Sequence, residues 1–383
     1  MASVAQAPGR DLRLDSLRGL LLVSMTCNHL PSVLRHFTDQ SLGIFSSAEG
    51  FMFISGMLAG WVYTRRLHRE GPSALRRIAV GRANLIYGWH VASFLACLAA
   101  VQLGQYVFGF CSTTSPLLFY IHPVLAAVLG AALLHQPGLL DILPMYCAFV
   151  LMIPWVLNAL DAGRRTWVLG ISTALWLSVQ WAPPIDGAPL YPLHVGTFNL
   201  FAWQFLFVLG LVIGHGRAAN PESVRMRMNV PVMVLCAAVG IYTWGLNHLA
   251  WPYPCSETTF GILLNKPAMG LLRLTDFGCV AYLVGLLAAR YPRLFSWRPF
   301  ELLGRHSLVV VATQSVVVMV LLQFPSLFAT PLANWLTTIA AIGTLFVGAG
   351  LHEWVVARRI ARRMGQMGYR GTPDRRAASH ATP

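Results

Sequence analysis

Arg18 and His29 stand eleven residues apart in an otherwise apolar stretch that opens at Asp11 and closes at Asn28-His29-Leu30-Pro31. At 100° per residue, eleven steps are almost three whole turns, so both side chains share one helix face, separated by roughly 16 Å along the axis. Asp15 lies one turn before Arg18 on the same side, where the two can pair. An ionisable group inside a membrane span is costly and therefore a candidate for function. The bland alternative is that Asp15 and Arg18 snorkel to headgroups while His29 hydrogen-bonds a neighbouring helix. Histidine titrates near neutrality and can take a proton from a hydroxyl. A carboxylate beside it would fix its tautomer or stabilise its cation. Glu49 is the candidate. If the first helix leaves the inner surface near residue 13, His29 is roughly 24 Å from that side; if the second enters from outside near residue 44, Glu49 is roughly 23 Å from it. The alternative for Glu49 is a hydrogen bond to a helix backbone or a serine.

The elements that must hold these groups are apolar helices. Of 383 residues, 56% are hydrophobic and 11% charged, against about a quarter charged in soluble proteins. Runs near 20 residues predict an all-α polytopic membrane protein with about ten spans: 14–35, 44–64, 83–108, 139–160, 166–182, 199–215, 230–250, 272–289, 306–324 and 335–356. Arginine fills the even connections, including Arg65, Arg66, Arg69, Arg76, Arg77 and Arg82 in the second and Arg290, Arg293, Arg298 and Arg305 in the eighth. The odd connections are nearly free of it, which puts both termini in the cytoplasm. Residues 1–13 read as a cytoplasmic N-terminus without a cleavable signal, 14–356 as the membrane domain and 357–383 as a basic, disordered tail that contacts lipid headgroups. Residues 117–135, interrupted by His122-Pro123, read as a re-entrant or interfacial helix on the outer side.

The net charge of +14 follows this placement of arginine and does not point to nucleic acid. The seven cysteines show no CxxC or metal spacing, so no metal and no permanently bound cofactor are expected. Cys111 and Cys255, both in loops, could pair in an oxidising compartment. There is no GxSxG, P-loop, HExxH or dinucleotide fingerprint, which removes most soluble enzyme classes.

Two basic groups stand apart. Arg76, Arg77 and Arg82 lie before the third span, where arginine suits bidentate phosphate contact and equally anchors the helix. Arg82 is the strongest of the three, because Asn84 and His90 follow it on a helix entering the bundle. Lys266 and Arg273 break the charge alternation on the outer side, with Asp276 one turn on. They read either as a basic patch for an anionic or polyhydroxyl acceptor or as a surface ion pair. Trp203-Gln204, Arg305-His306-Ser307, Gln314 and His352-Glu353 are polar intrusions that can also be helix–helix glue.

Taken together, these residues resemble a known family. Arg18 and His29 fit the Arg-x10-His signature of the acyltransferase type 3 superfamily, and Ala48-Glu49-Gly50-Phe51-Met52-Phe53-Ile54-Ser55-Gly56 resembles its second-helix motif. More closely, the chain is similar to the OpgC branch, linked to succinylation of osmoregulated periplasmic glucans. The similarity lies in Arg10 to Gly19, Gln136-Pro137 with Leu140 to Tyr146, Phe198-Asn199 with Ala202-Trp203-Gln204, Lys266, Arg273, and Gly304-Arg305-His306-Ser307-Leu308. Where that branch carries Asp before the first-helix His, this chain has Asn28; where it carries Asn-Pro, this chain has Asn199-Leu200.

The resemblance implies a multi-pass enzyme of the bacterial inner membrane. It would use cytoplasmic acyl-CoA, succinyl-CoA among the candidates, and a periplasmic glucan or other glycan as acceptor, alongside glucan-biosynthesis proteins. Arg76, Arg77, Arg82 and His90 would hold the donor. His29 with Glu49 would deprotonate the acceptor or carry the acyl group. Arg18, through Asp15, would steer the donor, and Trp203, Gln204, Lys266 and Arg273 would face the acceptor or a diacid's carboxylate. A transporter or flippase is the rival class, as polar groups at mid-depth suit moving helices, although no inverted hydropathy repeat is visible. An acyltransferase acting on a lipid-linked sugar or small molecule is a further alternative.

Overall fold

The computed structural model describes residues 11–109, 116–180, 196–219, 228–253 and 255–369, with side chains to residue 362. Every regular element among them is helical. In order these are α1 (Leu12–His29), α2 (Arg35–Thr38), α3 (Ser47–Phe108), α4 (Leu117–Ile121), α5 (Pro123–Ala131), α6 (Ile142–Asp161) and α7 (Arg165–Gln180). There follow α8 (Leu200–Ala219), α9 (Val230–His248), α10 (Glu257–Leu264), α11 (Leu271–Arg290), α12 (Arg298–Arg305), α13 (Ser307–Leu321) and α14 (Pro331–Tyr369).

Six of the described helices, α3, α6, α8, α9, α11 and α14, are long and apolar enough to cross a membrane. The bent pair α12–α13, broken at 88°, would make a seventh. Ten spans were expected, and the difference has three causes. Two expected spans lie within the 62-residue α3, whose break is at Gly71 (φ 82°, ψ 170°) followed by Pro72. A left-handed glycine before a proline cannot continue the α-helical hydrogen-bond ladder. α1 carries Arg13, Asp15 and Arg18 within 18 residues. α7 and α13 have 16 and 15 residues, short of the ~20 needed for a ~30 Å core. Residues 117–135 form α4 and α5, of five and nine residues, each too short to cross. α14 continues helical to Tyr369, so the first part of the expected tail is helix. Cys111 lies outside the described residues, and Cys255 is a free thiol.

α3 packs directly against α8. Gly56 and Gly60 on α3 face Gly210 and Gly214 on α8. A methyl group on Gly56 would sit 2.1 Å from the Phe207 carbonyl oxygen, and one on Gly214 2.0 Å from that of Met57. Two glycines four apart on each partner let backbones touch, and packing then supplies what the hydrophobic effect cannot supply between helices in lipid. The main core grows from this contact, with Met52, Leu206, Phe207 and Leu211 fully buried beside Trp203.

α1 meets α12 in the same way. A methyl on Gly19 would sit 2.0 Å from the Phe300 carbonyl oxygen, and one on Gly304 1.9 Å from that of Asp15. Ser16 Oγ accepts from Trp297 N at 2.9 Å. This approach sets the α12–α13 break against α1, one turn from Arg18.

Candidate active site

Arg18 reaches the break. Its Nη2 donates to Ser307 Oγ at 2.6 Å, its Nη1 lies 3.5 Å from the Gly304 carbonyl, and the guanidinium sits 5.2 Å from the Phe51 ring centre. Asp15 is buried at the same α1–α12 contact. Arg18 also lines a small cleft shared by Phe51, Arg82, Tyr146, Ser307 and Val311. Two guanidiniums from different helices thus face one space with aromatic and aliphatic walls. That combination suits an anionic group carried on an apolar or amphipathic arm. Tyr63, one residue short of the Arg-rich turn, lies within electrostatic reach of Tyr146, Arg82 and Arg66.

The other expected donor residues separate. Arg76 and Arg77 are exposed on α3 beyond the Gly71 break, whereas Arg82 is half-buried. His90 is fully buried, with its Nε2 3.4 Å from the Gly130 carbonyl at the end of α5 and its ring beside Phe94. It packs α3 against α5 and does not line the cleft.

His29 ends α1 and is exposed. Among the described residues no hydrogen bond reaches its ring, and the charges acting on it are Lys266, Arg35 and Asp39. Asn28 turns away from it: Asn28 Oδ1 accepts from Thr38 Oγ1 at 2.5 Å, and its Nδ2 donates to the Thr38 carbonyl at 3.3 Å. Asn28 therefore ties the end of α1 to the following segment and leaves the imidazole open.

Glu49 is not hydrogen-bonded to His29. Its Oε1 accepts from Arg273 Nε in a buried ion pair. Its Oε2 accepts from Ser46 N at 3.0 Å and Ser46 Oγ at 2.6 Å, closing the capping box of α3. The expectation of a carboxylate orienting the imidazole gives way to this arrangement. The reason is desolvation, since a fully buried carboxylate needs a cation and several donors, and Arg273 with Ser46 supplies them. Ser46-x-x-Glu49 is a capping-box signature readable in the sequence.

On the acceptor side, Arg273 and Asp276 do not form the surface pair considered above. Both are buried, and they hold different partners. Arg273 takes Glu49, while Asp276 accepts from the backbone N of Ile44 and Phe45 at 2.7 and 3.3 Å and from Thr243 Oγ1 at 2.7 Å.

Trp203 is fully buried, so it is no open platform for a sugar. Its Nε1 donates to the Lys266 carbonyl at 3.2 Å, and its ring leans on Phe198 at 4.4 Å. Trp176 Nε1 and Gln180 Nε2 likewise hold the carbonyls of Met269 and Ala268. The three side chains fix the loop that presents Lys266, whose ammonium stands 5.8 Å from the Phe198 ring centre. Gln204 has both ends engaged by α7 and by its own helix. Its Oε1 accepts from Ser172 Oγ at 2.7 Å, and its Nε2 donates to the carbonyls of Ser172 and Phe201. These bonds make it helix–helix glue between α7 and α8.

Residues 10–357 match the family model of the OpgC protein. The chain belongs to the OpgC family. No curated protein and no solved structure matches it. As an OpgC protein it is a membrane protein of acyltransferase type. The matched region runs from before α1 to the end of the apolar part of α14, so the cleft, His29 and the Lys266 loop all lie inside it. Ser307 and Tyr146 fell within the family-like stretches of the sequence, but their spacing gave no hint of a role. Only the α12–α13 break and the crossing of α6 bring them to Arg18.

Proposed function

We propose that this OpgC protein is a membrane-embedded O-acyltransferase. It moves an acyl group, succinyl being the family's implied choice, from cytoplasmic acyl-CoA to a hydroxyl of an extracytoplasmic glycan. The topology proposed with it has ten spans and both termini in the cytoplasm of a bacterial inner membrane.

The observation that carries this reading is the arrangement along α1. At one end Arg18 shares a cleft with Arg82. At the other, His29 is an exposed residue whose ring takes no hydrogen bond among the described residues and sits among the charges of Lys266, Arg35 and Asp39. The two stand roughly 16 Å apart along the helix. Arg82 and Arg18 hold the donor's anionic part and steer its arm along α1. His29 then takes the proton of the acceptor hydroxyl. The oxygen attacks the thioester carbonyl, the carbon–sulfur bond breaks, and the departing thiolate takes up a proton, giving ester and free thiol. Acyl transfer through the imidazole itself is the two-step variant of the same reaction. Lys266, held in place by Trp203, supplies a cation near His29 for an acceptor or an acyl carboxylate. Glu49 acts through Arg273, fixing the helix ends.

Washed membranes given labelled acyl-CoA test this. Covalent label on periplasmic glycan, lost in His29→Ala at equal membrane abundance, is the expected result. An active His29→Ala protein overturns the assignment of the base. Uptake into vesicles without covalent label would point to a transporter. Label on lipid-linked or small-molecule species would redirect the acceptor.

A further inference from the structure

Asp276 is fully buried on α11, yet nothing in the proposed reaction uses it. It accepts two backbone N–H groups, from Ile44 and Phe45, and the Thr243 hydroxyl of α9. A carboxylate so surrounded is a fixed post to which a segment of main chain is tied. Gly43 makes room for it, since a methyl there would stand 2.3 Å from Asp276 Oδ2. Phe45 adds an edge-on contact to Phe277, 5.6 Å between ring centres, on the same helix.

The segment so tied leads back to His29. Residues 30–46 join α1 to α3. Thr38 grips Asn28 with both its hydroxyl and its carbonyl, and that carbonyl also accepts from Ser24 Oγ at 3.1 Å. Arg35 and Asp39, the charges that with Lys266 act on the His29 ring, lie on this segment. Its near end therefore holds the last turn of α1, and its far end is held by α11.

We propose that Asp276 is a positioning residue for His29, acting through residues 38–45. The inference rests on His29 being the reacting group, but its structural half is tested separately. The probe is diethyl pyrocarbonate, with the rate of His29 carbethoxylation followed by mass spectrometry on the full-length purified protein. Asp276→Ala should change that rate and lower kcat by about 10- to 100-fold, the scale of an ångström-sized misplacement, with donor KM unchanged. Gly43→Ala, which pushes on the same carboxylate, should act in the same direction, and the double variant should be no worse than the more severe single, because both break one lock. Ser172→Ala, which removes a buried bond between α7 and α8, should leave His29 labelling unaltered. A folded Asp276→Ala protein with native labelling rate and native kcat overturns the proposal. Should Asp276→Ala fail to fold, Thr243→Val removes one bond to Asp276, and native labelling there overturns it equally. Altered labelling together with an active His29→Ala would sustain the positioning while sinking the catalytic reading.

Discussion

Glu49 at the head of α3 and Arg273 on α11 form an ion pair in which the two side chains are 0% and 4% exposed. It joins two helices 224 residues apart in sequence. Removing one partner of a buried pair strands the other charge at a cost of about 3–5 kcal/mol. Glu49→Ala should therefore lower stability by that order, measured as the melting temperature in detergent. Arg273→Leu combined with Glu49→Ala should cost less than the two single changes added together. A Glu49→Ala protein as stable as wild type would contradict the buried pairing.

Donor affinity should depend on Arg82 far more than on its neighbours. Arg82 lines the cleft with Arg18, while Arg76 and Arg77 are exposed. A hydrogen bond to a charged group contributes about 1.5–3 kcal/mol. Arg82→Ala should accordingly raise donor KM by roughly tenfold or more, and Arg76→Ala and Arg77→Ala should stay within about twofold, as exposed pairs contribute little. Steady-state kinetics with acyl-CoA decides the matter. Equal effects at all three positions would remove the cleft as the donor site.

The α3–α8 contact gives a steric prediction. Gly210→Ala puts a methyl 2.2 Å from the Phe53 carbonyl oxygen, so the helices must part. The expected loss is about 1–3 kcal/mol. Gly81 on α3 has nothing within 4 Å of a built methyl, and Gly81→Ala should be neutral or slightly stabilising. Thermal melts of the two variants, compared side by side, test the glycine zipper.

Stability should also fall in acid at the N-terminal end. Asp11 is buried, which by itself raises its pKa, but hydrogen bonds from Arg13 and Arg217 outweigh this and hold the carboxyl below its ordinary 3.8. Its Oδ2 accepts from Arg13 at 2.8 Å and from Arg217 at 2.7 Å, tying the start of α1 to the end of α8. For a lowered folded-state pKa, the stabilisation is present above 3.8 and is lost as pH falls through the folded value. Asp11→Asn should cost about 1 kcal/mol near pH 7, and the gap to wild type should close as pH falls below 3.8. A gap that widens in acid would reverse the assigned sign.

How much of this was legible beforehand varies by residue. Arg18 and His29 were picked out by spacing alone, because helical periodicity is local, and both lie on α1. The Ser46-x-x-Glu49 box and the Gly-x-x-x-Gly pairs are local patterns too, but their roles emerged only from the structure. Glu49's partner was not legible. Depth arithmetic compares heights within a bilayer but not angles around a bundle, and the carboxylate expected to meet His29 is paired instead with Arg273. Trp203 and Gln204 were expected at the acceptor on the family resemblance alone, while as polar intrusions in an apolar run they also read as helix–helix glue. Burial and saturated hydrogen bonding made one the support of the Lys266 loop and the other glue.

The sequence by itself determined the all-helical membrane class and picked out the two polar groups of α1, since composition and period act along a single chain. Which cations meet which carboxylates, where α12–α13 breaks and which side chains share the cleft were decided only in three dimensions. The physical reason is that desolvation drives each buried charge to whichever partner the packing brings within reach, and that partner can lie hundreds of residues away.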